Sequence, residues 1–186
     1  MIGALPKALE VSGVICPIRT DFRVALMIFE AYNDPDIPQV EKSWICLNCL
    51  YIELPDDTAA ALEQAMWFLN GGDKIKLRKM PAKVIDWGQD EALIFPAVNR
   101  VAGCETRELD YLHWWTFLGY FSEIGECLYS QVMNIRQKRA AGKKLEKWER
   151  EFLNTHKEMI VIHEKLTAEE QRALDDEQAA LDTLVG

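Results

Sequence analysis

Leu112-His113-Trp114-Trp115-Thr116-Phe117-Leu118-Gly119-Tyr120-Phe121 is the stretch whose reading decides the fold of this chain. At helical spacing Leu109, Leu112, Phe117, Tyr120 and Ile124 line one face, and Trp114, Leu118 and Phe121 form a second apolar stripe beside Tyr111 and Trp115. A helix apolar on nearly every side must be the central element of a bundle or be covered by another protein. Packing is the default for aromatic residues at this spacing, because each buries a large area. The alternative places one or both tryptophans at an interface.

Working outward, the pattern predicts further helices on both sides. Thr20 or Asp21 caps a helix reaching about Tyr32, with Phe22, Ala25, Leu26, Ile28 and Phe29 on its inner face. A second helix spans 39–52. A third begins at Thr58 and ends at Asn70-Gly71-Gly72, as a glycine C-cap would. Residues 73–83 carry five basic side chains against one acid and read as a solvated connector. Asp86-Trp87-Gly88-Gln89-Asp90 opens a fourth helix that Pro96 should kink or divide and Gly103 should close. The aromatic helix is expected over 107–122 and the next over 126–136. Before all of these, Leu9-Glu10-Val11 and Val14-Ile15-Cys16 flank Ser12-Gly13 as two strands of a hairpin. The expected fold is mainly α, a helical bundle of about seven or eight helices with a short N-terminal β-hairpin.

The last part of the chain changes character. Seven basic and two acidic residues lie in 136–150, and seven acidic and two basic in 164–182. A helix over 143–162 keeps a stripe of Leu145, Trp148, Phe152 and Met159. Thr167-Ala168-Glu169-Glu170 then forms a capping box before a sparse stripe of Leu174, Leu181 and Leu184. Residues 1–136 are thus expected to form a helical core domain with the N-terminal hairpin, and 137–186 a C-terminal helical pair. That pair either folds against the body or serves as an arm, and its opposite charges permit self-association through exchanged arms.

Composition excludes several function classes. The chain has 186 residues, 49% of them hydrophobic, and a formal net charge of -9. That charge repels nucleic-acid phosphates over most of the surface, so no nucleic-acid partner is expected. No apolar run reaches the length of a membrane span, and the first residues lack the basic and apolar regions of a secretory signal, so a cytosolic protein is expected. Five cysteines, without such a signal, do not suggest a disulfide framework. Cys46-Leu47-Asn48-Cys49 has CxxC spacing, but neither a βαβ context for a redox pair nor a second close pair for zinc accompanies it. Buried small apolar residues are the plainer reading. No nucleophile elbow, P-loop, dinucleotide fingerprint, HExxH or EF-hand pattern occurs, so neither an enzyme nor a cofactor is expected.

Several strings together resemble one family. Ile18-Arg19-Thr20-Asp21-Phe22-Arg23, Glu41-Lys42, Ala65-Met66-Trp67-Phe68-Leu69-Asn70-Gly71-Gly72, Asp86-Trp87-Gly88-Gln89-Asp90, Leu112-His113-Trp114-Trp115-Thr116-Phe117 and the later Ile135-Arg136 occur in the order and spacing of the bacteriophage Gp15 family. The chain departs from that family's pattern at Val101-Ala102-Gly103-Cys104-Glu105-Thr106. The resemblance implies a tail gene of tailed phages and prophages of Gram-positive bacteria, acting in the host cytoplasm. It further implies a tail assembly chaperone that binds the helical tape-measure protein, with the tail-tube protein a further partner. A structural tail or connector component of the virion is the alternative. In a helix-in-groove mode the anchors would be Trp67, Phe68, Trp114, Trp115 and Leu118, since tryptophan is favoured at binding hot spots.

Overall fold

A tight turn with two positive φ angles starts the structure. Strand β1 (Ala8–Val11) runs antiparallel to β2 (Val14–Pro17), with Ala8 opposite Pro17 and Val11 opposite Val14. Ser12 at φ 49° and Gly13 at φ 85° join them. Positive φ at both central residues matches the twist of the flanking strands, which is why a Ser-Gly pair suits this hairpin. The computed structural model describes residues 3–73 and 83–163, together with Thr167, Glu170, Arg172 and Ala173.

Eight α-helices follow among the described residues: α1 (Phe22–Asn33), α2 (Gln39–Leu50), α3 (Thr58–Leu69), α4 (Glu91–Ala102), α5 (Trp114–Ser122), α6 (Leu128–Ala140), α7 (Lys147–Thr155) and α8 (Lys157–Ile160). Helices α1 and α3 start where a side chain takes a free backbone N–H, whereas α2 begins after Pro38 with no side-chain cap. Asp21 accepts from Arg23 N, and Asp57 from Ala60 N. Helix α1 packs on α2 and α5, α2 on α3, α3 on β1, and α4 on both α5 and α6. The main core gathers Leu9 and Val11 from the hairpin with Phe22, Ile28, Leu50, Phe68, Ile94, Trp114 and Phe117. At its centre the Phe22 and Phe117 rings stack at 4.8 Å, with Phe95 edge-on to Phe22 at 6.2 Å. No helix among the described residues is long and apolar enough to cross a membrane.

The mainly helical architecture and the hairpin agree with the sequence reading, but several boundaries move. The aromatic helix starts at Trp114, not near Arg107; Thr106–Glu108 is a 3₁₀ turn, the chain bends at 109–110, and no helix covers 109–113. Leu109 and Tyr111 therefore belong to no helical face. The reason is tertiary: Leu112 and Trp114 exchange backbone hydrogen bonds with the chain entering α1, and His113 serves as the N-cap. Helix α2 stops at Leu50, because Tyr51 bridges to Ile18 and Ile52 N donates to Pro17 O. Pro96 does not divide α4, which continues to Ala102 and ends at Gly103 with φ 73°. Helix α6 begins and ends later than expected, after a cap in which Cys127 and Ser130 bond reciprocally.

The helix expected over 143–162 is two helices that part at His156. The break lets Ile160 turn into α6, where it joins Val132 and Ile135 in a second, smaller core lined by Leu93, Leu145, Phe152, Leu153 and Met159. Trp148, assigned to the inner stripe from its spacing, is instead exposed, and Glu149 takes the buried position. The Thr167 and Glu170 capping box forms, with Glu170 N donating to Thr167 Oγ1 at 3.2 Å and Thr167 N to Glu170 Oε2 at 2.9 Å. Most of the basic connector (74–82), and Leu174, Leu181 and Leu184, lie outside the described residues.

One buried ion pair joins the two cores. Arg136 on α6 donates to both carboxylate oxygens of Asp90, at 2.6 and 2.8 Å, with both side chains almost fully enclosed. Its other donors reach Ile160 O at 2.8 Å, Met159 O at 2.9 Å and Val84 O at 3.1 Å. All five guanidinium N–H groups are thereby used. Removing one partner of such a pair leaves an uncompensated buried charge, so Arg136→Met should cost about 3–5 kcal/mol in urea unfolding. Hydrogen exchange should show the loss first at residues 159–161; unchanged protection there would contradict this role.

Glu149 anchors α7 in a related way. It accepts from Lys138 Nζ at 2.5 Å, Asn134 Nδ2 at 3.0 Å and Glu146 N at 2.8 Å. The Lys138 ammonium, with the backbone N–H of Glu146, holds its carboxyl below the usual range. A folded-state value below the unfolded one contributes stability above the ordinary carboxylate range and loses it as pH falls. Thermal melts from about pH 5 to pH 3 should therefore show a shallower decline for Glu149→Gln than for the parent chain.

Candidate partner-binding surface

The motif Arg19-Thr20-Asp21-Phe22-Arg23 works as a clasp. Arg19 closes the C-terminus of α2 by donating to Asn48 O at 3.0 Å, Cys49 O at 3.1 Å and Tyr51 O. Asp21 caps α1 and also accepts Leu112 N at 3.0 Å. Phe22 N donates to Leu112 O and Trp114 N to Thr20 O, so the two extended segments lie side by side. Arg23 completes the join through Leu109 O at 2.6 Å and Arg107 O at 2.9 Å. Carbonyls at helix ends and in loops need donors once they leave water, and these two arginines supply them.

The His113-Trp114-Trp115 motif meets the same need at α3. His113 Nδ1 accepts Trp115 N at 3.0 Å, which leaves Nε2 to donate to Pro6 O at 2.9 Å. That pairing assigns the neutral tautomer with the proton on Nε2. Trp114 Nε1 donates to Leu69 O at 2.9 Å and Trp115 Nε1 to Phe68 O at 2.8 Å. Two consecutive indoles thus satisfy carbonyls in the last turn of α3. The third motif, over residues 86–90, is likewise absorbed by the fold. Asp86 holds the N–H groups of Gly88 and Gln89, and Trp87 packs against Phe29, Trp114 and Phe121. Gln89 pairs with the backbone of 161–163, donating to Val161 O and accepting His163 N.

These contacts separate the five residues expected to meet a partner. Trp114 and Phe68 are 1% exposed and belong to the core. Trp67, Trp115 and Leu118 are half-buried and adjoin one another at the C-terminal end of α3. Trp115 stacks on Phe68 at 6.0 Å and meets Trp67 edge-on at 5.3 Å. The Gly71-Gly72 turn, with φ 69° and 92°, lies against this shelf. A Cβ on Gly72 would come within 3.0 Å of the Trp115 ring, and one on Gly71 within 3.2 Å of Leu118. The two glycines supply the left-handed backbone and the clearance that the shelf requires. The result is a small, half-buried aromatic patch between the end of α3 and α5.

Spacing alone did not reveal the Asp90 and Arg136 pair, because its members stand 46 positions apart and neither has a local signature. Each stands in a string that carries the family resemblance, Asp90 at the end of 86–90 and Arg136 beside Ile135, but nothing in either string marks the other as its partner.

The geometry defines a mainly helical protein whose most distinctive residues hold its own chain ends and helix termini. The chain belongs to the family described as Bacteriophage Gp15 protein, which it matches over residues 1–162. That membership points to a structural or morphogenetic role in a phage. No curated protein and no solved structure gives a match.

The thiol pair sits inside α2 rather than at a strand-to-helix junction. Cys46 is fully enclosed and Cys49 half-buried. Burial pushes the Cys46 thiol up to about 11. Only about 0.1% of it would be thiolate at pH 8, and the thiolate is the reactive form. Under native conditions the exposed Cys104 should react first with a thiol reagent and Cys46 last, as peptide mass mapping would show. Early labelling of Cys46 would mark it as reactive.

Proposed function

We propose that this protein is a tail assembly chaperone that holds a helical segment of the tape-measure protein until tail-tube protein polymerises around it, and that it catalyses no reaction. The supporting observation is the half-buried Trp67, Trp115 and Leu118 shelf in a chain of this phage family. A chaperone for an amphipathic helix needs apolar anchor sites set in a rigid body. It also needs enough net charge to keep the loaded complex dispersed, which the value of -9 provides. Trp67 and Trp115 present large rings at little conformational cost, since aromatic side chains have few torsions to freeze.

Co-expression with the neighbouring tape-measure gene tests this reading, with soluble tape-measure protein the expected outcome. Trp115→Ala should weaken the complex by about 2 kcal/mol or more, in the range of hot-spot tryptophans, while urea unfolding stays cooperative. Trp67→Ala, which leaves the Trp114 and Trp115 indole hydrogen bonds to α3 in place, provides a second variant if Trp115→Ala fails to fold. A chaperone should also be absent from purified particles. Many copies in the virion would favour the structural tail or connector component instead.

A further inference from the structure

A groove of about 390 Å³ runs between the outer edge of β2 and residues 53–57, far along α3 from the tryptophan shelf. Its walls expose side chains that ordinarily pack. Val14 is 62% exposed, Ile15 64% and Leu54 43%. The two walls meet where Ile52 N donates to Pro17 O at 3.1 Å. At the far end they are tied by Ser12 Oγ donating to Asp57 at 2.6 Å. Between these ties the groove stands open. Its lining includes Glu53, Asp56 and Asp57, and no lysine or arginine.

The backbone on one wall is also open. Ile18 N donates to Lys7 O, which makes that pair a hydrogen-bonded one and gives Cys16 and Val14 the bonds toward β1. Pro17 and Ile15 therefore point the other way. Pro17 O has Ile52 N as its donor, whereas the N–H and C=O of Ile15 face the groove with no partner among the described residues. Such an edge is a template for another strand, and Pro17, lacking an N–H, limits how far the pairing can run.

We propose that this groove takes up an extended segment of a partner protein, in which apolar residues alternate with lysine or arginine, added to β2 as a third strand. Strand addition supplies main-chain hydrogen bonds at Ile15, and because Val14 and Ile15 point to opposite faces of the ribbon, the apolar side chains of the incoming strand, all on one face, lie beside Ile15. The intervening cations meet the three carboxylates, which sets the sign of the partner's charge. An acidic strand would be repelled. This surface is separate from the tryptophan shelf and does not require the tape-measure protein to be its ligand.

The test uses the full chain and a fluorescein-labelled heptapeptide of alternating lysine and valine, followed by fluorescence anisotropy. Saturable binding is expected, with none for the glutamate and valine counterpart. Ile15→Ser should weaken binding about tenfold, as expected when most of an isoleucine's burial is lost. The Glu53→Lys, Asp56→Lys double variant should weaken it further, and circular dichroism should show all variants folded. A peptide N-methylated at alternate residues should not bind. Equal binding by the N-methylated peptide, or by either variant, would overturn the proposal. So would concentration-dependent self-association that Ile15→Ser abolishes, since the occupant would then be a second copy of this chain.

Discussion

The carboxylate of Asp21 is the contact on which the rest of the main body depends. It caps α1, accepts the Leu112 N–H and pairs with Arg23, so one side chain joins two segments 91 positions apart. Without that join the extended run before Trp114 would have no fixed place, and α5 would have no fixed start. The burial of Phe22 against Phe117 follows from it, because both rings sit in the first turn after the clasp or close to it. Hydrogen bonds here do not add much net energy one by one. Their effect is to allow carbonyls and N–H groups of irregular backbone to be buried at all.

The Asp90 and Arg136 pair plays a corresponding role for the C-terminal part. It attaches α6 and the turn of α8 to the start of α4, and the small core of Val132, Ile135 and Ile160 forms beside it. A few aliphatic side chains give that core little area of its own, so its position relies on a directional contact. Arginine suits this task because its planar fork can bind a carboxylate bidentately and still reach carbonyls on its other side. The two polar devices leave the family's recurring motifs with structural duties.

Much of the helical plan was legible from local signals. The α1 face, the glycine end of α3 and the closure of α4 by Gly103 follow from periodicity and capping chemistry that act within a few residues. The hairpin was legible because a Ser-Gly turn accepts two positive φ angles. The start of the aromatic helix was not. Its 3.6-residue pattern continues upstream through Leu109 and Leu112, but the backbone there is taken up by Thr20, Asp21 and Phe22. Trp148 and Glu149 reversed for a similar reason: Lys138 and Asn134 on α6 offer a charged and a polar partner at the inward position.

For the candidate site the division is sharper. Sequence by itself determined that the aromatic run must be covered, since a helix apolar on most sides cannot face water, and that run was one of the several strings that together carried the family resemblance. Only the tertiary structure decided which ring is core and which is surface. Trp114 and Trp115 are adjacent, both are tryptophan, and both donate to the end of α3. They differ because successive helical residues point about 100° apart, so Trp114 turns toward Phe29, Trp87 and Phe117, while Trp115 turns toward Trp67 and the Gly71-Gly72 turn. What lies in each of those directions is a property of distant segments brought together by the clasp.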